Sequence, residues 1–348
     1  MTEKKQLTDD RRSDRVTIKD LALDLGISVS SVSRAFQPDS RISDSSRALV
    51  LRRAAELGYK ANPFARGLVG RKTKIVGVLV SRISSSFYSE ILNLVANRLS
   101  KDNITLMLVA GEHVHEIHDG LDMLMAYDPI ALLVISSFAS ADSIAHSPSA
   151  REKIIYVHRT PADRDTLALA YDNFAAGEKV AEYLVGLGHQ RLAYLSSGLE
   201  SSSDQERSEG FSAFCAAHGL AAPHIIRSSG FSYEHGAAAA GEVVERLAEI
   251  DAVFCAADML ALGLLDAVRH GFGIQVPRQL SIVGCDDIAM TSWPSHSLTT
   301  LHLPRETIVN EIVRLIEDMS ENRRPGNKLI RLACGGIVVR GSTGPKAA

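Results

Sequence analysis

The chain has 348 residues, of which 45% are hydrophobic and 23% are charged. This is an ordinary composition for a globular protein, and the length is sufficient for two or three domains. The longest apolar stretches, such as residues 75–80, have the length of strands, so the sequence predicts no membrane-spanning helix. The four cysteines are too widely spaced for a zinc or redox motif, and we expect free thiols in a reducing cytosol.

Charge is distributed unevenly along the chain. The formal net charge is −3, but residues 1–74 carry 16 Lys and Arg against 9 Asp and Glu, and the remaining residues carry 22 against 32. A basic first segment followed by an acidic remainder of the chain indicates that the first segment binds a polyanion. Within it, residues 1–14 alternate acids and bases without an apolar core, which predicts a disordered tail and argues against a secretory signal.

The first predicted helix lies at residues 17–26, near the start of a predicted domain at residues 15–60. Thr17 is a suitable N-cap, because Asp20 follows three residues later as in a capping box. Gly26 permits the positive φ that ends a helix, and the apolar residues between these caps have helical spacing.

Two further helices are predicted in the same domain. Ser28 can cap a second helix at residues 29–36, and Ser43 can cap a third at residues 44–57, which Gly58 ends. Three short helices, the first two joined by a tight glycine turn, are typical of a helix-turn-helix.

The outer side of the second helix carries short hydroxyl side chains and one arginine. Ser30, Ser31 and Ser33 can reach phosphates, and the forked guanidinium of Arg34 can bind a guanine edge. The alternative is a small three-helix bundle with a solvated, serine-rich face. Helical periodicity by itself does not decide between these two interpretations.

Three stretches of this domain resemble the headpiece of the lactose/galactose repressor family. They read Val-Thr-Ile-Lys-Asp-Leu-Ala from residue 16, Gly-Ile-Ser-Val-Ser-Ser-Val-Ser-Arg-Ala-Phe from residue 26 and Glu-Leu-Gly-Tyr from residue 56, and the resemblance continues to about residue 343. It implies that Val29, Ser30 and Arg34 face base edges, whereas Thr17 and Ser33 contact phosphates. The predicted DNA contacts of the headpiece are Thr17, Ser28, Val29, Ser30, Ser33 and Arg34.

A hinge is predicted at residues 61–73. Asn62 is a good N-cap and Pro63 suits a first helical position, but two turns are too short for a helix that is stable alone, and Gly67 weakens it further. One interpretation is an ordinary linker. The family resemblance implies instead a hinge helix that folds in the minor groove of DNA, with Leu68 wedged into a base step. The predicted DNA contacts of this segment are Asn62, Ala65 and Leu68.

Residues 74–348 are predicted to form an effector-binding and dimerisation domain of the α/β class. Continuous apolar strands alternate with helical stretches, which is typical of parallel sheets buried on both faces. Two consecutive sets of strands, split near residue 172, predict two doubly wound subdomains, and the family resemblance likewise implies a periplasmic-binding-protein-like core. The predicted strands are residues 75–80, 105–109, 132–135, 154–157, 191–195, 252–254 and 282–284.

The residues that follow these strands are the candidate effector contacts, because ligands of such sheets bind beyond the carboxyl ends of the strands. The family resemblance implies that Arg207 holds the effector, that Phe231 stacks on it and that Asp286 accepts its hydroxyls or amines. The alternatives are a structural ion pair for the arginine and a core position for the phenylalanine. Ala257 stands where sugar-responsive members of the family usually have asparagine, which argues against a plain sugar. The predicted effector contacts are Ser85, Phe87, Tyr88, Arg207, Phe231, Asp258 and Asp286.

The sequence contains no recognisable catalytic or cofactor motif. His113, His115, Glu116 and His118 carry potential metal donors, but their spacing matches no standard site, and we expect a solvated segment. Nucleophile elbow, Walker loop and dinucleotide fingerprint are all missing from the sequence. We therefore expect no metal, no cofactor and no enzymatic activity.

Together these features predict a cytoplasmic, ligand-responsive bacterial transcription repressor with no membrane partner. We expect a homodimer on a pseudo-palindromic operator, because a two-fold protein reads a two-fold site and no leucine heptad for a tetramer follows the last strands. The effector would be a sugar, a sugar derivative or another small polar metabolite. The alternatives are a solute-binding protein, which would lack the headpiece, and an α/β enzyme, which would turn its ligand over.

Overall fold

The computed structural model describes residues 16–36, 40–59, 73–81, 83–111, 113–135, 148–161, 165–323 and 328–346. The chain divides into two compact units, Met1–Arg71 and Lys72–Ala348. The predicted tail and the predicted hinge helix lie outside the described residues, and so do the hinge residues Asn62, Ala65 and Leu68.

The first unit contains the predicted helix-turn-helix. Its described helices are α1 (Ile18–Leu25), α2 (Val29–Ala35) and α3 (Asp44–Glu56). Gly26 ends α1 with a φ of 65°, as predicted, and α2 and α3 each end one residue earlier than predicted. The side chains buried between the helices are Leu21, Ala22, Val32, Ala35, Val50 and Ala54.

Local hydrogen bonds determine where these helices begin. Thr17 Oγ1 accepts a hydrogen bond from the amide of Asp20 at 3.3 Å, and the Asp20 carboxylate accepts one from the amide of Thr17 at 2.8 Å. Ser28 Oγ accepts from the amide of Ser31 at 3.1 Å, and Ser43 caps α3 in the same way. The three predicted N-caps are therefore confirmed.

The strands described in the second unit form two sheets. They are β1 (Ile75–Val80), β2 (Thr105–Ala110), β3 (Ala131–Ile135), β4 (Ile154–Val157), β5 (Ala168–Tyr171), β6 (Leu192–Ser196), β7 (His224–Arg227), β8 (Ala252–Cys255), β9 (Ser281–Asp286), β10 (Thr299–His302), β11 (Leu329–Leu332) and β12 (Ile337–Val338). The first sheet has the order β2-β1-β3-β4-β5-β11 and is parallel. The second has the order β7-β6-β8-β9-β10-β12, in which β12 runs antiparallel to β10.

Helices cover these sheets. They are α4 (Ser86–Ser100), α5 (Val114–Met125), α6 (Pro148–Arg151), α7 (Asn173–Gly186), α8 (Ser202–Ala217), α9 (Tyr233–Ala238), α10 (Ala240–Glu245), α11 (Asp258–Asp266) and α12 (Arg305–Ser320), with a π-helical turn at Ala267–Gly271 and a 3₁₀ turn at Ala289–Ser292. The predicted parallel α/β class is confirmed. We call each sheet with the helices packed on it a subdomain, the first carrying β1 and the second carrying β6.

The chain crosses between the two sheets three times within the described residues. It leaves the first sheet after β5, close to residue 172, and builds most of the second sheet as far as β10. It then returns with α12, which packs on α4, and with β11, which pairs with β5, before β12 joins the second sheet. The prediction of two consecutive sets of strands is wrong in this respect, because the end of the chain completes the first subdomain.

Burial of the strands follows their position in the sheet. The central strands β1 and β3 are buried along their whole length, as predicted. The strand β2 lies at a sheet edge, and several of its side chains are exposed, so the expectation of burial on both faces is wrong for this strand. Five short strands, β5, β7, β10, β11 and β12, were not predicted from the apolar runs.

Candidate functional site

The outer side of α2 is the candidate nucleic-acid interface. Val29 is 42% exposed, and Ser30 and Arg34 are exposed as well, whereas Val32 and Ala35 on the other side of the helix are buried. Side chains that can reach DNA and side chains that hold the bundle together therefore lie on different sides of one helix.

Serine hydroxyls orient the polar side chains of this surface. Ser28 Oγ lies 2.8 Å from Ser30 Oγ, and Arg34 Nη2 donates a hydrogen bond to Ser31 Oγ at 3.3 Å. In the described part of the chain, no carboxylate lies within ion-pair distance of Arg34. The other donors of its guanidinium are therefore available to a base edge or a phosphate.

The two predicted phosphate contacts lie at the start of α1 and on α2. Thr17 is exposed at the start of α1, where its hydroxyl also donates to the Asp20 carboxylate at 2.6 Å. Ser33 lies on α2 and is half-buried, so less of its side chain faces solvent than that of Ser30.

A cavity of about 240 Å³ lies in the second unit and is lined by residues from both subdomains. The lining residues follow the carboxyl ends of strands, where ligands of doubly wound sheets bind. Those of the first subdomain are Ser84, Ser85, Ser86, Phe87, Tyr88 and His158. Those of the second are Ser201, Arg207, Phe231, Ser232, Tyr233, Glu234, Ala256, Ala257, Met259, Asp286 and Ile288.

The structure brings six of the seven predicted effector contacts together at this cavity, and Asp258 is the exception. The six are Ser85, Phe87, Tyr88, Arg207, Phe231 and Asp286. The carboxylate of Asp258 is fully buried, where it accepts hydrogen bonds from Thr300 Oγ1 at 2.6 Å and from the amide of Ile288 at 2.9 Å. Asp258 therefore supports a segment of the cavity wall and does not line the cavity.

The buried Asp258 carboxyl group has an unusual protonation equilibrium. Burial, together with the negative charge of Asp286, raises the pKa of Asp258 to about 8. The group is therefore mostly neutral at pH 7, which avoids the cost of an unpaired buried charge next to a second carboxylate.

Arg207 is the buried cation of the cavity. It is 2% exposed, and its Nε and Nη1 atoms donate to the carbonyl oxygens of Ser203 at 3.0 Å and Ala256 at 2.6 Å. No carboxylate lies within ion-pair distance of its guanidinium in the described part of the chain, so the structural ion pair considered above is not formed there. The backbone fixes the position of this side chain, and part of its hydrogen-bonding capacity remains for a ligand.

Asp286 and Asp287 form a strained turn at the end of β9. Their φ angles are 124° and 58°, in the region that side-chain-bearing residues rarely adopt. The Asp287 carboxylate holds this turn, because it lies 2.9 Å from His302 Nδ1 and accepts from Arg340 Nη2 at 2.8 Å. Strained backbone of this kind is concentrated at binding sites, which supports Asp286 as a ligand contact.

Sequence reasoning missed several residues of the cavity wall. His158 follows β4 with a φ of 61°, and its ring centroid lies 5.3 Å from that of Phe87 and 5.8 Å from that of Tyr88. Its position directly after a predicted strand was a usable signal. The segment 232–234 also lines the cavity, but it was harder to predict from the sequence, because the preceding strand β7 has no continuous apolar run.

The described residues of the histidine-rich segment are not gathered into a cluster of metal ligands. Among the described residues, no group of three or more potential ligands is placed to hold a metal ion. His113 lies at the N-terminus of α5, where its amide donates to the Glu116 carboxylate at 3.1 Å. The four cysteines are free thiols, and none of the described helices is long and apolar enough to cross a membrane.

Two family models match the chain. The model for bacterial regulatory proteins of the lacI family matches residues 17–62, and the model for a periplasmic binding protein-like domain matches residues 181–343. The first range covers the helix-turn-helix, and the second covers most of the second subdomain with Arg207, Phe231 and Asp286.

Known proteins resemble the chain over nearly its whole length. The HTH-type transcriptional repressor CytR of Escherichia coli (strain K12) is 26% identical over 94% of this chain and 96% of its own. The ribose operon repressor of Haemophilus influenzae is 28% identical over 88% of this chain and 94% of its own.

Solved structures share the fold. A transcriptional regulator CelR–cellobiose complex is 25% identical with a TM-score of 0.70 and covers 94% of this chain and 100% of its own. The lac repressor dimer bound to operator and the anti-inducer ONPF is 23% identical with a TM-score of 0.82 and covers 95% and 99%. The chain therefore combines a helix-turn-helix domain of the lacI family of bacterial regulatory proteins with a periplasmic binding protein-like domain, and it is a DNA-binding, ligand-responsive transcription regulator.

Proposed function

We propose that this regulator represses transcription as a homodimer on a pseudo-palindromic operator and that a small molecule in the cavity controls its release or retention. One observation carries the proposal: a single chain combines an exposed helix-turn-helix surface bearing Arg34 with a polar cavity between two subdomains. The names of CytR and the ribose operon repressor support the repressor role.

On the DNA side, Val29, Ser30 and Arg34 would read base edges, while serine and threonine hydroxyls of α1 and α2 bind phosphates. Exposure of the first three and the absence of a carboxylate near Arg34 in the described residues support this division. The phosphate contacts in this proposal are Thr17, Ser28 and Ser33. By family resemblance, Asn62, Ala65 and Leu68 complete the interface in the minor groove.

The effector is a small polar metabolite that carries a ring, such as a sugar or a sugar derivative. Arg207 and Asp286 offer a donor and an acceptor for its polar groups, and Phe231 and Tyr88 offer aromatic faces. Cellobiose occupies the related CelR structure. Ala257 lines the cavity without the amide expected of a sugar-responsive member, which favours a derivative over a plain sugar.

The cavity binds its ligand without converting it, and the protein acts in the cytoplasm, where the operator is. The relatives found are transcription regulators, which supports a binding role for the second unit. A turnover assay on any compound that stabilises the protein distinguishes this role from that of an α/β enzyme, because an enzyme would consume the compound.

Selection of genomic fragments with the purified full-length protein tests the proposal. We expect a pseudo-palindromic site to be enriched. Thermal unfolding with sugars and nucleosides, beginning with D-ribose and cellobiose, should then reveal a compound that raises Tm and also changes the affinity for the selected DNA.

A matched pair of variants assigns that effect to the cavity. Arg207→Met should abolish the response to the compound, whereas Arg227→Met, which removes an exposed arginine of the same subdomain, should preserve it. Absence of an enriched sequence, or a stabilising compound that leaves DNA affinity unchanged, would contradict the proposed function.

A further inference from the structure

Arg305 occupies a position between the two walls of the cavity, although it does not line the cavity itself. It is the first residue of α12 and directly follows the second crossing of the chain between the sheets. The preceding residue is fixed, because Tyr171 Oη donates to the carbonyl of Pro304 at 2.8 Å. The Arg305 side chain is 14% exposed, so its guanidinium is largely enclosed by protein.

On the side of the first subdomain, Arg305 contacts the helix that forms the cavity wall. Its Nε atom lies 2.7 Å from Oε2 of Glu90, and its Cζ atom lies 5.7 Å from the centroid of the Phe87 ring. Both partners belong to α4, and Phe87 lines the cavity. An ion pair and a cation–π contact therefore anchor one part of the guanidinium.

On the side of the second subdomain, the same guanidinium donates from Nη2 to the carbonyl oxygen of Asp287. This carbonyl belongs to the strained turn that carries Asp286, a lining residue of the opposite wall. The turn continues into Ile288, whose amide is held by the Asp258 carboxylate at 2.9 Å. Arg305 thus bonds to the backbone beside the predicted effector contact.

We propose that Arg305 is a positioning residue that ties the Phe87 wall of the cavity to the Asp286 turn. The planar guanidinium is ion-paired with Glu90 on one side and donates a hydrogen bond to the Asp287 carbonyl on the other, an arrangement that a lysine ammonium on a flexible stem does not reproduce. Displacement of either wall by a bound molecule therefore changes the contacts made by the other wall. The role of the cavity as the effector site rests on the proposed function, but the tie between its walls does not.

Hydrogen exchange of the full-length protein, without DNA or effector, tests this inference. Arg305→Met removes the charge and the donors while retaining an apolar side chain of similar length. We expect roughly tenfold faster amide exchange in the segment 286–293, because the turn loses a bond to a charged donor. Emission from Trp293, the only tryptophan of the chain, should shift as well.

Two further variants separate positioning from a general loss of stability. Arg314→Met removes an arginine from the exposed side of the same helix, where it pairs with Glu311 and Asp318, and should leave exchange at 286–293 unchanged. Arg305→Met should also speed exchange in the segment 83–90, which loses the ion pair with Glu90. Arg305→Lys retains a charge beside Glu90 and should return the exchange rate of 83–90 to that of the wild type without restoring that of 286–293.

Normal exchange at 286–293 in Arg305→Met would overturn the inference. It would also be overturned if the faster exchange were confined to α12, because Arg305 would then stabilise only the start of its own helix. Neither outcome depends on finding an operator or a ligand, so a failure of this inference is distinguishable from a failure of the proposed function.

Discussion

At the scale of single residues, Asp258 combines full burial with a carboxyl group that has no cationic partner among the described residues. Thr300 and the amide of Ile288 hydrogen-bond its two oxygens, and Asp286 lies near enough to raise its pKa. The hydrogen bonds favour the ionised form, but burial and the second carboxylate outweigh them, since the pKa rises to about 8.

This pKa predicts a pH dependence of stability. The folded pKa is above the unfolded one, so the folded state binds more protons between about pH 4 and pH 8, and its stability falls as the pH rises through this range. In Asp258→Asn, the side-chain amide can form hydrogen bonds with both Thr300 and the amide of Ile288, but it does not ionise. Between pH 5 and pH 8, the variant should gain about 1 kcal/mol of unfolding free energy per pH unit relative to the wild type, measured by urea denaturation. Parallel pH profiles for the two proteins would mean that Asp258 is ionised in the folded state.

Arg34 is the residue that we expect to determine sequence preference. Arg34→Ala should weaken binding to the selected operator by about 1–3 kcal/mol, with a much smaller loss on random DNA, because only the operator offers the matching base edge. Anisotropy titrations at one salt concentration measure both affinities. Arg52→Ala, which removes an exposed charge from α3, provides the control and should weaken both DNAs similarly or not at all. Equal losses on both DNAs for Arg34→Ala would identify Arg34 as a phosphate contact.

At the scale of elements, the close approach of α7 and α8 determines the position of Arg207 in the cavity wall. A Cβ atom built on Gly177 would lie 2.1 Å from the carbonyl oxygen of Arg207, and one on Gly210 would lie 2.0 Å from that of Phe174. The two helices therefore pack backbone against backbone, and only glycine fits at these two positions. This contact fixes the helix that carries Arg207 at the depth of the cavity wall.

Gly177→Ala should consequently force the two helices apart. We expect a loss of about 1–3 kcal/mol or more in unfolding free energy, measured by denaturant titration, because the clash is with backbone that cannot rotate away. Gly186→Ala on the same helix meets no atom within 4 Å and should be neutral or stabilising by up to about 1 kcal/mol. A similar response of both variants would show that the helices can separate without cost.

At the scale of the whole molecule, the three crossings make the two subdomains depend on the same late segments of the chain. The helix α12 buries Ile308, Ile312 and Leu315 in the core and packs on α4, and β11 pairs with β5 at the edge of the first sheet. The first subdomain is therefore incomplete until residues beyond 300 have folded.

A fragment comprising residues 73–172 should for this reason fail to fold cooperatively. It retains five strands of the first sheet but lacks α12 and β11, so the apolar face of α4 that packs on α12 is exposed. Circular dichroism during thermal unfolding should show no sigmoidal transition, whereas residues 73–346 should show one. Cooperative unfolding of the short fragment would mean that the later segments are dispensable for the first subdomain.

Features determined within a few residues were predictable from the sequence. The caps at Thr17, Ser28 and Ser43 depend on hydrogen bonds to amides three residues away, and the turn at Gly26 depends on one φ angle. Long apolar runs such as β1 predicted the parallel α/β class, because a strand buried on both faces must be apolar throughout. These local signals, with the family resemblance, also identified six of the cavity residues.

Only the tertiary structure decided which short segments pair and which polar groups reach the cavity. The strands β5, β10 and β11 are as short as β4, but they lack its unbroken run of large apolar residues, and hydrogen bonds from neighbouring strands complete them. Asp258 lies between Ala257 and Met259, which both line the cavity, yet its carboxylate is directed to Thr300 on another strand. Arg305 had no local signal at all, because its contacts join Glu90 of α4 to Asp287 at the end of β9, and these two residues are almost two hundred positions apart in the chain. Such contacts are set by how the sheets and crossings pack, and the sequence around each residue does not encode them.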